Sequence, residues 1–193
     1  STRASLVQKA GGSKARVRQY GEKMPNLRLI LAYDGAEFHG WQSQPGYRTV
    51  QDKVTKTLER VVRHPVALIG ASRTDAGVHA LAQVAHVDIA RPMAPERVMA
   101  AINAHLRPLP VAVLEVRLAP AGFHARFDAT ERRYLYRILA RRAPPALERG
   151  RVWHVPVPLH AERMAEAARM LVGRHDFTSF RAAECQAKSP IKT

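Results

Sequence analysis

The order of apolar runs between residues 27 and 118 constrains the fold more than any other feature of this sequence. Four runs rich in Val, Leu and Ile end at Gly, Pro or Asp and predict strands. Two segments between them carry apolar residues at helical spacing. The predicted order is β-α-β-β-α-β, the split βαβ pattern of ferredoxin-like domains. The four strands are predicted at residues 27–33, 66–71, 83–89 and 111–118.

The two predicted helices have recognisable ends. Thr49 is an expected N-cap with Asp52 three residues later, and the pair His64-Pro65 ends that helix. Pro95 opens the second helix, as proline does in a first turn. An antiparallel sheet with both helices on one face leaves the other face open, and RNA-binding modules of this class use such a face.

Patterning weakens beyond residue 122. One strand is predicted at 132–139 and one helix at 159–172, where Gly173 is a suitable residue to follow the helix end. The predicted fold class is α+β, an antiparallel sheet with flanking helices built from two ferredoxin-like halves, the second incomplete in this chain. The predicted domains are a basic flexible tail (1–23), a first βαββαβ half (24–122) and the start of a second half (123–193).

Charge indicates the class of partner. The chain carries 31 Lys and Arg against 16 Asp and Glu, a net charge of +15. This excess favours a polyanion, most simply nucleic acid, although a solubilising basic surface would also produce it. The single cysteine, Cys185, cannot form an internal disulfide, which fits a reducing cytosol. No apolar run is long enough for a membrane span, and no signal peptide is recognisable.

The stretch ASRTDAGVHA, residues 71–80, places Asp75 between two apolar segments. Turn chemistry accounts for it, because Asp tolerates turn geometry and Gly77 supplies a positive φ. A catalytic role accounts for it equally, because Arg73 is close enough in sequence to keep the carboxylate ionised. Residues 71–80 alone leave both interpretations open.

Other chemistry finds less support in the sequence. Five histidines have neither HExxH spacing nor a pairing with cysteine, so hydrogen-bonded histidines are expected rather than metal ligands: His39, His79, His86, His124 and His154. No P-loop, GxGxxG fingerprint or nucleophile elbow is present. Residues 117–142 contain seven arginines with interleaved aromatics, which fits either a solvated strand or a phosphate-tracking surface. The aromatic residues Phe38 and Trp41 have the same ambiguity, with Trp41 expected in the core.

Four blocks in order carry a family resemblance: YDGAEFHGWQSQ, ASRTDAGVHALAQVAHVD, FHARFDATERRYLYRI and HDFTSFRAAECQAKSP. Together they resemble the tRNA pseudouridine synthases of the TruA type. The resemblance implies a cytoplasmic isomerase that converts uridine to pseudouridine in the anticodon stem-loop of tRNA. It implies a homodimer that uses no cofactor and no metal.

The resemblance also implies roles for three residues. Asp75 matches the catalytic aspartate, Tyr134 the tyrosine that stacks on the target base, and Arg73 the arginine that helps to hold the flipped nucleotide. The reaction breaks N1–C1′ and forms C5–C1′, so it is redox-neutral. One carboxylate suffices, either by covalent attack or by taking a proton from the sugar to give a glycal.

This chain departs from the family pattern after SPIKT, where the family continues. The sequence therefore predicts low or no turnover by these 193 residues, with some apolar surface uncovered. The alternative from another class is a non-catalytic ferredoxin-like RNA-binding module. A third interpretation, a zinc hydrolase that uses the histidines, predicts bound metal.

Overall fold

The computed structural model describes residues 3–9, 24–181 and 189–192. The chain forms two compact units, one of Lys14–Ala129 and one of Ser1–Ser13 with Thr130–Thr193. The elements in chain order are β1 (Arg3–Lys9), β2 (Asn26–Tyr33), α1 (Val50–Val62), β3 (Ile69–Gly70), β4 (Ala80–Asp88), α2 (Pro95–Leu106), β5 (Val111–Leu118), β6 (Glu131–Ala140), β7 (Trp153–Val155), α3 (Ala161–Arg169), β8 (His175–Asp176) and β9 (Ile191–Lys192).

The unit that contains β2 to β5, called here the first unit, has the predicted β-α-β-β-α-β order. Its four strands form one antiparallel sheet in the order β3-β4-β2-β5. The central strand β2 alternates between half-buried and buried residues, as expected where one face carries the core. The strand predicted at 66–71 is shorter than expected, because only Ile69 and Gly70 pair with β4.

Helix α1 begins and ends where its sequence predicts. The Thr49 side chain accepts a hydrogen bond from the Asp52 backbone N–H at the N-terminus. At the other end Arg63 adopts a left-handed conformation, φ 60°, and its N–H donates to the Glu59 carbonyl. Helix α2 has Pro95 in its first turn, as predicted.

The core lies between the sheet and the two helices. Strands β2 and β4 and both helices contribute fully buried side chains to it, among them Leu27, Leu29 and Leu31 of β2, Val54 and Leu58 of α1, and Val98 and Ile102 of α2. Asn103 fastens α2 to β5 by donating to the Val113 carbonyl and accepting from the Val113 N–H, each at 2.8 Å. The core therefore holds the sheet and both helices as one body.

Residues 123–129 belong to this first unit, although the sequence placed the domain boundary before them. The Ala125 N–H donates to Nδ1 of the buried His86 at 3.1 Å, and Ala125 is itself buried. Asn26 on β2 also donates to the Phe123 carbonyl at 3.3 Å. These bonds explain why the segment stays with the sheet.

The second unit contains the remaining elements. Strand β6 pairs antiparallel with β1 and parallel with β7, and β8 pairs with β9. No strand was expected between residues 1 and 23, yet Arg3–Lys9 forms β1; the rest of that predicted tail lies outside the described residues. Cys185 also lies outside them. Across the described ranges, no helix has the length and apolar character that a bilayer crossing needs.

Candidate active site

A cavity of about 390 Å³ in the first unit contains Asp75 and Arg73. Two loops line it: the β3–β4 loop supplies Arg73 to Ala76, and the β2–α1 loop supplies the opposite wall. The lining residues are His39, Gln42, Gln44, Tyr47, Arg73, Thr74, Asp75 and Ala76. Its size is at the small end of ligand pockets, which span roughly 300–1,000 Å³. The cavity is therefore suited to one small polar group such as a nucleotide.

Backbone hydrogen bonds join the two loops. The Trp41 N–H donates to the Thr74 carbonyl at 2.9 Å, and the Gly77 N–H donates to the Phe38 carbonyl at 3.2 Å. Gly77 has φ +78°, so the predicted turn after Asp75 is present. These bonds bracket Asp75 on both sides and fix its backbone through main-chain groups.

Two glycines allow the loops to approach this closely. A Cβ on Gly40 would lie 2.5 Å from the Thr74 carbonyl oxygen, and Gly40 has φ +83°. A Cβ on Gly35 would lie 2.1 Å from the Val78 carbonyl oxygen. Both contacts are shorter than a carbon atom permits, so larger side chains would push the β3–β4 loop away.

Buried aromatic residues anchor the loops to the hydrophobic core. Trp41 is 1% exposed, as the sequence predicted, and a Cβ on Gly70 would lie 2.6 Å from its ring. Phe38 is also buried. The Tyr33 hydroxyl lies 2.8 Å from the Thr74 hydroxyl, so the residue before Asp75 is held by a side chain of β2. The site thus rests on the hydrophobic core.

Asp75 and Arg73 both project into solvent at the cavity. The expected pairing between them is not present: within the described part of the chain, neither side chain forms a hydrogen bond or an ion pair. An exposed carboxylate and guanidinium gain little by pairing, because water solvates both charges. Asp75 therefore offers an uncompensated carboxylate, and Arg73 a separate cation on the same wall.

The remaining wall carries residues that the sequence did not single out. Tyr47 and His39 place their ring centroids 4.9 Å apart at an angle of 50°, and both residues are exposed. The segment Gln44-Pro45-Gly46-Tyr47 is a turn closed by the Tyr47 N–H on the Gln44 carbonyl. The Pro-Gly pair signals this turn in the sequence, but only the fold shows that it faces Asp75.

Four of the five histidines are hydrogen-bonded through their rings, as predicted. The exception is His39, whose ring forms no hydrogen bond within the described residues. Nδ1 of His79 accepts from the Gly35 N–H at 3.1 Å and also lies 3.0 Å from Asp34 Oδ1. Burial, and then the neighbouring His124, lower the pKa of His86 against the opposing effect of Asp88 and Asp128. Among the residues described, no three His, Cys, Asp or Glu side chains are arranged to hold a metal ion.

Tyr134 lies on β6 in the second unit, where it is 40% exposed. The arginine-rich stretch around it is partly neutralised. Arg117 pairs with Glu115, Arg133 with Glu131, and Arg137 with Glu148. Arg141 donates instead to the carbonyls of residues 143 and 144. The stretch therefore combines intrachain ion pairs with exposed aromatics, and both interpretations of it stay open.

Known proteins similar to this chain agree with one another. A family model described as tRNA pseudouridine synthase matches residues 29–128. The tRNA pseudouridine synthase A of Cereibacter sphaeroides is 55% identical over 170 residues, covering 88% of this chain and 67% of that protein. Those of Rhodospirillum centenum and Maricaulis maris are 56% and 52% identical, covering 88% of this chain and 69% and 68% of each protein. The chain thus spans about two thirds of the length of these relatives.

Proposed function

Because the chain belongs to the tRNA pseudouridine synthase family, we propose that it isomerises uridine to pseudouridine in the anticodon stem-loop of tRNA, with Asp75 as the catalytic residue. One observation carries this proposal: Asp75 presents an exposed, uncompensated carboxylate in a cavity of about 390 Å³ whose two walls are joined by backbone hydrogen bonds. A carboxylate in that state can act as a nucleophile or as a base.

The chemistry needs little beyond this carboxylate. The N1–C1′ bond breaks, the base turns, C5 bonds to C1′, the C5 hydrogen leaves as a proton and N1 gains one. Asp75 either bonds covalently to the substrate and is released, or removes a proton from the sugar and returns it. Both routes balance without an oxidant, a reductant or a nucleotide. Rigid loops favour either route, because catalysis depends on holding the reacting atoms in place.

Substrate-binding roles are proposed for Arg73 and Tyr134 as well. Arg73 lines the cavity with its cation unpaired in the described residues, so it is available to a phosphate of the flipped nucleotide. Tyr134 is the proposed stacking partner of the target base. A uridine in folded RNA has to leave its stack to reach Asp75, and an aromatic face compensates for the stacking it loses.

The wider features of the family are proposed with it. The chain works in the cytoplasm as a homodimer that binds tRNA, and its net charge of +15 supports a polyanionic partner. The β-α-β-β-α-β connectivity of the first unit supports a ferredoxin-like half. Low or no turnover by this chain stays a prediction that the same assay measures.

The test is release of tritium from tRNA labelled at uridine C5, with protein in excess over tRNA so that a slow single turnover is visible. The chain is expected to release tritium, and Asp75→Asn to abolish release while leaving tRNA affinity nearly unchanged. Asp52→Asn is the matched control, because that carboxylate pairs with Lys56 on α1 and does not line the cavity.

Two results separate the alternatives. Unchanged release by Asp75→Asn contradicts the catalytic assignment. Tight tRNA binding without release by any form of the chain supports the non-catalytic RNA-binding module instead.

A further inference from the structure

We propose that Tyr47, backed by His39, is a stacking platform at the cavity mouth that holds an RNA base next to the target uridine. This inference rests on the proposed function, because it assigns a positioning role in the binding of the same substrate. It concerns a residue pair to which no role has been attached so far.

The turn geometry presents the Tyr47 ring to the cavity. Gly46 has φ +80° after Pro45, and the Tyr47 N–H closes the turn on the Gln44 carbonyl at 3.3 Å. This is the pattern of a type II turn, which proline and glycine stabilise at these two positions. The His39 N–H donates to the Arg48 carbonyl at 2.8 Å and keeps the two sides of the loop together. The backbone therefore sets the position of the ring.

About half of the Tyr47 side chain is accessible to solvent. Tyr47 is 53% exposed, although it packs against His39 with ring centroids 4.9 Å apart. Its hydroxyl forms no hydrogen bond within the described part of the chain. A large aromatic side chain that is neither buried nor hydrogen-bonded, on the wall of a polar cavity, has a π face available for a base.

Arg48, which follows Tyr47, already has partners within the chain. The Arg48 guanidinium lies 5.1 Å from the Phe38 ring centroid and pairs with Glu37 at 3.0 Å. It is therefore less available for a phosphate than Arg73 on the opposite wall. The two walls accordingly suit different parts of a nucleotide chain: Arg73 suits a phosphate, and the Tyr47–His39 pair suits the flat face of a base.

A neighbouring base fits this platform better than the target base does. The cavity of about 390 Å³ has room for little more than one nucleotide beside Asp75. Because Tyr47 is exposed on a wall of the cavity, a base that stacks there lies beside the reacting nucleotide. Such a contact exists before and during the reaction alike, so it contributes to binding and leaves the chemical step unchanged.

The test measures affinity and single-turnover rate with the whole 193-residue chain and a fluorescently labelled anticodon stem-loop RNA. Tyr47→Ala is expected to weaken binding by roughly 5- to 150-fold, the range for loss of one base stack. The rate at saturating RNA should stay within about twofold. Tyr47→Phe should bind like the unaltered chain, whereas Tyr47→Leu, which keeps apolar cover over His39, should bind as weakly as Tyr47→Ala.

The matched control is Trp153→Ala. Trp153 is 67% exposed on β7, and it does not line the cavity. Its removal should change affinity by less than about twofold. Equal losses in the two alanine variants would overturn the platform, because they would show a diffuse aromatic contribution. Normal binding by Tyr47→Leu would overturn it as well, because the side chain would then only cover His39.

RNAs with a single abasic nucleotide beside the target identify the base. When the missing base is the one that stacks on Tyr47, combining the abasic RNA with Tyr47→Ala should weaken binding no more than either change does alone. If the chain isomerises uridine and Tyr47→Ala does not change RNA affinity, this inference alone is overturned. Weaker binding by Tyr47→Ala without any isomerisation overturns the catalytic proposal alone. Failure of the unaltered chain to bind RNA overturns both.

Discussion

The two units contain similar elements but differ in what they bury. In the first unit, three of the four strands and both helices contribute buried apolar residues, and only the two-residue β3 has none. In the second unit, no residue of 130–181 or 189–191 is buried, and α3 has no buried residue at all. Its large apolar side chains are exposed instead, including Trp153, Met170 and Val172.

This difference shows where the geometry of the site originates. Both loops around Asp75 begin and end on elements that pack into the first core, so their hydrogen bonds have fixed ends. Helix α3 has a sequence suited to one apolar face, but such a face stabilises a helix only when a partner covers it. Residues 24–129 therefore determine the geometry of the Asp75 cavity.

Replacing a leucine by alanine in each unit should give the largest difference in the free energy of unfolding. Leu29→Ala removes a fully buried side chain from the central strand and should lower the free energy of unfolding by about 2–5 kcal/mol. Leu135→Ala, at a residue that is 49% exposed on β6, should change it by about 0.5 kcal/mol or less. Urea unfolding followed by far-UV circular dichroism measures both, because that signal comes from the strands and helices of both units. Equal losses would show that the second unit has a comparable core.

A pair of glycines tests whether loop contact positions Asp75. Gly40→Ala and Gly122→Ala both force alanine into φ near +80°, at about 1–2 kcal/mol each. Only at Gly40 does the new Cβ meet the Thr74 carbonyl, which adds about 1–3 kcal/mol and displaces the loop. Gly40→Ala should therefore lower the tritium-release rate below that of Gly122→Ala. Matching rates would mean that the loop contact does not position Asp75.

The pH dependence of stability tests the attachment of residues 123–129 to the first unit. Burial lowers the pKa of His86, whose neutral Nδ1 accepts the Ala125 N–H. The unfolded chain therefore binds the proton more readily. The stabilising effect is complete above about pH 6.5 and is lost as the pH falls through the folded-state pKa.

Comparing urea midpoints at about pH 8 and about pH 5 measures this effect. His86→Gln stays neutral at both, so it should lose less stability on acidification than the unaltered chain does. The charged and titratable groups that face His86 are the same in both proteins: Asp88, Asp128, His124 and the neighbouring Arg28. An identical loss in the two proteins would show that His86 does not hold the segment.

Much of the first unit follows from local sequence. Thr49 and Pro95 fix the helix starts, and the alternation in β2 fixes which face is buried, because these signals act within a few residues. The length of β3 was overestimated, because the apolar run at 66–71 extends beyond the two residues that pair with β4. The helix predicted at 159–172 is also shorter, at Ala161–Arg169.

The site was only partly predictable. The turn at Asp75 and Gly77 is local, so the sequence indicated it. The opposite wall is not local: Tyr47 reaches the cavity only because Gly40 and Trp41 dock on Thr74, more than 30 residues later in the chain. The absent Arg73–Asp75 pair shows the same limit, because nearness in sequence does not decide whether two exposed side chains meet.

Nucleoside analysis of tRNA after incubation with the chain tests the central claim most directly. Unmodified tRNA is incubated with excess protein, digested and separated, and uridine and pseudouridine are quantified. The proposed role of Asp75 predicts that pseudouridine appears in an amount equal to the uridine lost, and that Asp75→Asn forms none while Asp52→Asn behaves like the unaltered chain. Pseudouridine formed equally by Asp75→Asn, or tRNA that the unaltered chain binds but leaves unmodified, would contradict it.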